Sequence, residues 1–437
     1  MTVGFLWLAA SAGALSLLTP CVFPMVPITV SYFTQHGAAT WRTRIAHALV
    51  FGLGIVASFT ALGLLLAVFV GATAAAQLAA NPWVNLALTA LFVAFALNLF
   101  GVFQLTVPSN WLTALDRVQR DRGADRRAWA VLAATLTGLT FTLTSFTCTA
   151  PFVGTVLVTA AQGSWRLPLI GMLVYSTVFA LPFCVLALVP QWARQLPKID
   201  GWLVGTKVLM GLVELAAASK FLSNADLVWH WGVFTRQVVL ATWVLLAAAA
   251  AIYVLVFMPI QSGQARRVGL GQLAVAGLSL AIGVWLTTGL AGRSLGELEP
   301  FLPPQGDPAV AGLAPVALSW QLNNYPGSLQ NAKTEGKRVF IDFTGYTCTN
   351  CRWMEANMFT RPDVRATLSR YVLSRLFTDG DGDLYERQQA FQQAKFNTVA
   401  LPLYAIVDAN GQTVATLPGL TRDPSTFVAF LQRGLNR

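Results

Sequence analysis

Four of the five cysteines stand in frames that could carry thiol chemistry. In the C-terminal portion, the apolar run Val339-Phe340-Ile341-Asp342-Phe343 stops at Gly345. Cys348-Thr349-Asn350-Cys351 follows, opening a helical run that continues through Met358. Strand, short loop and a CxxC at a helix start form a redox arrangement. The helix start offers free N–H groups and a positive dipole end, and both favour a thiolate. Cys348 is therefore the expected nucleophile, and Cys351, one turn inside, the residue that resolves the mixed disulfide. A structural zinc site would need two further ligands, and this portion holds no other cysteine or histidine. A static structural disulfide is the remaining alternative, although adjacent-turn bridges of this kind are usually labile.

The other two cysteines share a second frame. Cys21 lies in Pro20-Cys21-Val22-Phe23-Pro24, and Cys148 in Thr147-Cys148-Thr149-Ala150-Pro151, so both read Cys-x-x-Pro. Each falls deep in an apolar stretch. Proline breaks a helix, and irregular backbone at membrane depth is tolerated only where protein or water covers it. Taken singly, each would read as a small buried hydrophobe beside a packing kink. The repetition favours two facing thiols able to form a reversible disulfide, with metal ligation by two thiolates as the competing reading. Cys184, in Leu181-Pro182-Phe183-Cys184, has no matching frame and reads as structural.

The elements that must position these frames follow from composition. The chain has 437 residues, 55% hydrophobic and 11% charged, with a mean hydropathy of +0.58. Soluble domains are nearer 25% charged, so most of the chain is neither a soluble enzyme nor a disordered segment. Only six acids precede residue 293: Asp116, Asp121, Asp125, Asp200, Glu214 and Asp226. Eight stretches approach the roughly 20 residues a span requires: near 3–33, 46–70, 83–105, 129–160, 168–189, 206–222, 237–258 and 269–290. The sixth is the weakest, punctuated by Lys207, Glu214 and Lys220. Lys207 and Glu214 are intramembrane ionisable candidates, or they lie near an end and snorkel. The apolar start could instead be a signal peptide, but it lacks a basic n-region.

The formal charge of +10 might suggest nucleic acid, but its distribution records topology instead. Arg42, Arg44, Arg117, Arg120, Arg122, Arg126, Arg127, Arg194, Lys198, Lys207, Arg266 and Arg267 fall in loops on one side, and only Arg166, Lys220 and Arg236 on the other. By the positive-inside rule the first set is cytoplasmic, which puts the N-terminus and the C-terminal domain outside the cytoplasm. The two Cys-x-x-Pro frames then run antiparallel, and spans one to three and four to six read as inverted repeats meeting near the midplane. Five prolines in 291–318 mark a linker. The expected organisation is a transmembrane domain over 1–290, a linker over 291–318 and an α/β domain over 319–437. In the last, 400–408 reads as a strand, and Asn410-Gly411 turns into a second strand over 412–417.

These motifs together resemble the DsbD-type thiol:disulfide interchange reductases. The membrane portion is also similar to the CcdA-like electron conduits of cytochrome c maturation. The resemblance rests on the two Cys-x-x-Pro frames and on Phe340–Glu355, and it covers nearly the whole chain. It implies an α-helical polytopic membrane domain of eight spans plus a thioredoxin-like domain, in a bacterial inner membrane. It implies protein-disulfide reductase activity with no bound cofactor or metal. Electrons would come ultimately from NADPH, through cytoplasmic thioredoxin, to Cys21 and Cys148, then to Cys348 and Cys351, and finally to disulfides of proteins outside the cytoplasm. It implies a buried acid at Asp342, a second tuning acid at Glu355, and in Pro402 the cis-proline that guides partner docking. Pro24 and Pro151 would shape the membrane pair. Spans beginning at residue 3 lead to the expectation that the family's amino-terminal immunoglobulin-like domain is missing, so the final acceptor is another protein or the chain is incomplete. Two other readings stand: a metal or small-thiol transporter with a redox delivery domain, and, ranked last, an oxidase running electrons inward to quinone.

Overall fold

The computed structural model describes residues 2–17, 41–65, 80–102, 166–188, 200–258, 269–304 and 318–436. The chain divides into two compact units, one of 1–75, 92–215 and 253–269, the other of 76–91, 216–252 and 270–437. The membrane helices are α1 (Thr2–Ser16), α2 (Trp41–Leu65), α3 (Pro82–Leu99), α4 (Arg166–Leu188), α5 (Asp200–Trp229), α6 (Arg236–Ile252) and α7 (Leu270–Leu290). A π-helical turn, Tyr253–Phe257, extends α6. Among the described residues, four segments are long and apolar enough to cross a membrane: Pro82–Leu99, Gly205–Trp229, Arg236–Phe257 and Leu270–Leu290. The stretch expected near 129–160 lies outside the described residues. The sixth stretch, weakest by sequence, belongs to the 30-residue α5.

In the first unit, α1, α2 and α4 bury Ala12, Phe51, Ile55, Phe59, Met172, Tyr175, Phe179 and Phe183 together. Lipid offers no hydrophobic drive between helices, so close packing and satisfied hydroxyls must hold them. Tyr175 donates its hydroxyl to Ser16 Oγ at 2.8 Å, and Ser16 in turn donates to the Ala12 carbonyl at 2.8 Å. Cys184 packs at the α2–α4 contact, its Sγ 3.6 Å from the Ala48 carbonyl, where Gly52 leaves the room its sulfur fills.

In the second unit, Asn224 Nδ2 donates to Asn85 Oδ1 at 3.3 Å, joining α5 to α3. Trp83, Trp229 and Trp231 form an aromatic cluster at the same end, with ring centroids 5.3 Å and 4.9 Å apart. Helices α6 and α7 pack through Val239, Leu240 and Leu286 onto Leu295 and Leu302. A 3-10 turn, Gly296–Phe301, follows α7. Glu299 fixes it by an ion pair with Arg236 at the start of α6, with a second contact at 3.1 Å, and by accepting from the Leu295 N–H at 3.0 Å.

The same unit ends in an α/β domain. Its strands are β1 (Trp320–Leu322), β2 (Val339–Thr344), β3 (Val372–Phe377), β4 (Leu403–Val407) and β5 (Thr413–Pro418). Its helices are α8 (Tyr325–Glu335), α9 (Thr349–Trp353), α10 (Pro362–Leu368), α11 (Asp383–Phe396) and α12 (Pro424–Asn436). The sheet order is β1-β3-β2-β4-β5; the β1–β3 and β3–β2 pairings are parallel, and the β2–β4 and β4–β5 pairings antiparallel. This mixed sheet is the α/β architecture expected of a thioredoxin-like domain. A central strand covered on both faces should read as a continuous apolar run, and β2 is buried along its whole length. Alternate residues face opposite ways. Val339, Ile341 and Phe343 join one core with Val372, Leu376 and Leu403; Phe340 joins the other with Met354, Phe359, Tyr404 and Phe427. Asp342, two residues from Phe340, therefore shares the face on which the CxxC helix packs. The Asn410-Gly411 hairpin forms as expected: Gly411 holds φ +82°, which only glycine adopts readily, and β4 and β5 flank it.

Candidate active site

The dithiol is built at the C-terminal end of β2. Cys348 and Cys351 form a disulfide with Cα atoms 5.3 Å apart. Cys348 is the N-cap of α9: its Sγ accepts from the Cys351 N–H at 3.2 Å, so a donor of the first helical turn already points at the sulfur that would carry negative charge. Cys348 is half-buried and Cys351 fully buried. Of the two sulfurs, that of Cys348 is therefore the nearer to an incoming thiolate. A π-helical turn, Met354–Met358, continues α9.

An acid at the end of β3 holds the loop before the dithiol. Asp379 accepts from the Tyr346 N–H at 2.6 Å, the Thr347 N–H at 3.1 Å and the Thr347 hydroxyl at 3.1 Å. Burial raises the Asp379 carboxyl, while these donors pull it back. Any side chain at Gly345 would collide with this carboxylate. Tyr346 stacks on Phe377 at 4.1 Å and meets the His230 ring edge-on at 5.4 Å. Nearby, Trp353 Nε1 donates to Glu297 Oε1 at 3.2 Å, and Arg422 donates to Glu297 Oε2 at 3.0 Å, so the turn after α7 also touches the CxxC helix.

Behind the dithiol lies a cluster of four charges. Asp342 Oδ2 accepts from Arg375 Nε at 2.9 Å. Arg375 also approaches Glu355 Oε1 at 3.7 Å. Glu355 Oε1 accepts from Arg352 at 2.7 Å and lies 3.3 Å from the Thr344 hydroxyl. Burial pushes the Asp342 carboxyl up to about 6, Arg375 draws it down, and Glu355 pushes it up again. Its carboxylate form thus gains ground as pH rises through about 6 and is lost below it. Burial holds the Tyr404 phenol, its neighbour on β4, well above its ordinary value.

Of the residues singled out by sequence, Cys348, Cys351, Asp342 and Glu355 gather at this end of β2. The Leu401–Pro402 peptide bond is cis, at the entry to β4. Cys21, Cys148, Pro24 and Pro151 lie outside the described residues. Glu214 is fully buried in α5 with neither carboxylate oxygen hydrogen-bonded, and Lys207 is half-buried on the same helix. Among the described residues, no group of three or more His, Cys, Asp or Glu side chains is placed to hold a metal ion. Sequence reasoning missed Asp379, Arg352 and Arg375. The available signal was a charge at position 375, inside the mostly apolar β3, and an acid two residues beyond the end of that strand.

Residues 2–225 match the family model described as "Cytochrome C biogenesis protein transmembrane domain", and residues 325–435 match one described as "Thioredoxin-like domain". The chain is 27% identical to "Thiol:disulfide interchange protein DsbD" of Ralstonia nicotianae, over 97% of this chain and 67% of that protein. It is 28% identical to the protein of the same name from Vibrio vulnificus, over 98% of this chain and 67% of that one. It is 29% identical to "Thiol:disulfide interchange protein DsbD 2" of Pseudomonas aeruginosa, over 84% and 60%. The chain thus spans about three fifths to two thirds of the length of these relatives. A solved oxidoreductase, DsbH, aligns with 34% of this chain and 98% of its own at a TM-score of 0.25 and 17% identity.

Proposed function

The chain belongs to the family of the cytochrome c biogenesis protein transmembrane domain, and from that premise we propose that it is a membrane protein-disulfide reductase. It passes electron pairs from cytoplasmic thioredoxin, and ultimately NADPH, to protein disulfides outside the cytoplasm, including those of cytochrome c maturation. The observation that carries the reading is the half-buried Cys348 capping a helix and bonded to the buried Cys351, on the same chain as apolar spanning helices.

The organisation follows the sequence reading: a membrane domain over 1–290 with eight spans in inverted repeats, a linker over 291–318, and a thioredoxin-like domain over 319–437. Cys21 and Cys148, shaped by Pro24 and Pro151, form the membrane pair. The basic loops lie on the cytoplasmic side of a bacterial inner membrane. The Trp83–Trp229–Trp231 cluster marks the opposite interface, where amphipathic aromatic rings settle. Pro402, at the cis peptide bond that leads into β4, guides the partners of the dithiol.

Each transfer proceeds through a mixed disulfide. A thiolate of the membrane pair attacks Cys348 Sγ; the Cys348–Cys351 bond breaks, and Cys351 leaves as a thiolate and takes up a proton. The second membrane thiolate then attacks the mixed disulfide, closing Cys21–Cys148 and leaving a reduced tail dithiol. On the outer side, Cys348 thiolate attacks a substrate disulfide, and Cys351 closes the ring again. Two electrons move per cycle and no cofactor is consumed. Because thiols cannot exchange across a hydrocarbon core of ~30 Å, the membrane pair must be reachable from each side in turn.

The test is vectorial. Full chain reconstituted in vesicles, with reduced thioredoxin on the basic-loop side and a disulfide protein on the other, should produce thiols in that protein. Thiols that appear equally without thioredoxin, or only when both reactants share one side, would overturn the proposal.

A further inference from the structure

The CxxC helix is held from outside the α/β domain, by elements of the membrane portion within the same compact unit. Glu297 makes the central contact, from the turn Gly296–Phe301 that follows α7. Its Oε1 accepts from Trp353 Nε1 at 3.2 Å, and its Oε2 from Arg422 at 3.0 Å. Trp353 closes the helix that Cys348 opens, and Arg422 stands just before α12. The Arg422 guanidinium also lies over the Trp353 ring, 5.3 Å from its centroid, so the two residues gripped by one carboxylate hold each other. The turn itself is anchored to the membrane helices. Glu299 pairs with Arg236 at the start of α6, and Leu295 and Leu302 pack with Val239, Leu240 and Leu286. On the other flank of the dithiol, His230, between α5 and α6, sets its ring edge-on against Tyr346. The side chains of Glu297 and Arg422 are 68% and 64% exposed. An exposed ion pair holds weakly, and Lys220 of α5 and Arg352 of α9 add like charges that act on each other across the contact. For a tethered domain at high effective concentration, a weak contact is enough to orient it, and it still opens in each cycle.

We propose that Glu297 is a positioning residue for the exchange between the membrane pair and the tail pair: it grips Trp353 and Arg422, seats the oxidised CxxC helix at the outer end of α6 and α7, and releases it for delivery. The proposal rests on the reductase reading and deepens it, by naming what makes the tail accept electrons from its own membrane portion. The tail dithiol is oxidised and seated in this structure, the state that receives electrons. Release frees the same helix to meet protein disulfides outside the cytoplasm. A carboxylate suits position 297 because the indole N–H and the guanidinium only donate, and one carboxylate has an oxygen for each. A basic residue there accepts from neither and repels Arg422.

The test uses the full chain in detergent, carrying Cys184→Ala, mixed oxidised with excess reduced thioredoxin and quenched in acid at intervals. Thiol labelling and peptide mapping read the membrane pair and the tail pair separately. The same chain with Cys21→Ser reports direct attack of thioredoxin on the tail, and that rate is subtracted. Glu297→Arg should leave reduction of the membrane pair at the wild-type rate and slow reduction of the tail about tenfold. Dithiothreitol should reduce its tail as fast as that of the wild type. Arg422→Glu should behave alike. The double variant Glu297→Arg, Arg422→Glu restores opposite charges and should recover most of the rate, a rescue that a disordered turn would not show. Glu297→Gln, which keeps an acceptor for Trp353, is a second variant should the first not fold, with a loss of about threefold. A tail reduced through the membrane pair at the wild-type rate in folded Glu297→Arg overturns the proposal, as does a double variant as slow as either single one. An equal slowing with dithiothreitol also overturns it, since the residue would then act on the dithiol itself. A wild-type tail reduced no faster than that of the Cys21→Ser chain would instead sink the reductase reading on which the proposal rests.

Discussion

Cys348→Ser is expected to abolish thiol:disulfide interchange, and Cys351→Ser to leave the first exchange intact while blocking the second. The asymmetry follows from burial. Cys348 Sγ is reachable and already receives an N–H from the first helical turn, whereas Cys351 is closed off behind it. Loss of a nucleophile removes the covalent route altogether, so turnover by Cys348→Ser should fall by at least about a thousandfold. Cys351→Ser should release one leaving group per molecule and then stop, holding its substrate as a stable mixed disulfide. Burst measurements on the purified full chain read both outcomes. Equal residual turnover in the two variants would contradict the assignment of nucleophile and resolving residue.

How much of this was legible depended on whether the information was local. The CxxC site was, because strand, loop and helix start are consecutive in Val339–Met358, and the Asn410-Gly411 turn was for the same reason. Asp342 was visible as an acid at the end of an apolar run. Its partner was not: Arg375 lies 33 residues away, and only the parallel register of β2 and β3 sets them opposite each other. Asp379 escaped similarly, since its bonds to Tyr346 and Thr347 bridge two strand ends. The sixth apolar stretch looked weak because Lys207, Glu214 and Lys220 interrupt it, yet the helix runs from Asp200 to Trp229. Five charges among its 30 residues lower hydropathy without removing a single backbone hydrogen bond, so they do not end a helix. The turn at Gly296–Phe301 was masked by its Pro and Gly content; what orders it is the Arg236–Glu299 pair, 63 residues apart in sequence.

The second large effect concerns the membrane pair. Replacing either Cys21 or Cys148 with serine should leave the Cys348–Cys351 pair oxidised in cells. A dithiol needs both sulfurs to carry two electrons, and a single remaining thiol can only form a dead-end adduct. Trapping thiols with a mass-tagged maleimide should show the reduced fraction of the tail pair falling roughly tenfold or more. Added dithiothreitol should reduce the tail of the same variants as readily as that of the wild type, because the α/β domain is unaltered. A tail pair that stays reduced in Cys21→Ser or Cys148→Ser cells would mean that electrons enter by another route.

The central claim is that electrons pass within one chain from the membrane pair to the tail pair. Its most direct measurement is peptide mapping of full chains carrying Cys351→Ser together with either Cys21→Ser or Cys148→Ser, isolated after acid quenching from cells that contain thioredoxin. With both resolving thiols removed, the account predicts in one of these double variants a disulfide-linked peptide pair joining Cys348 to the remaining membrane cysteine, absent when that cysteine is changed to serine as well. Cys348 found only as a free thiol, or joined only to other proteins, in both double variants would contradict it.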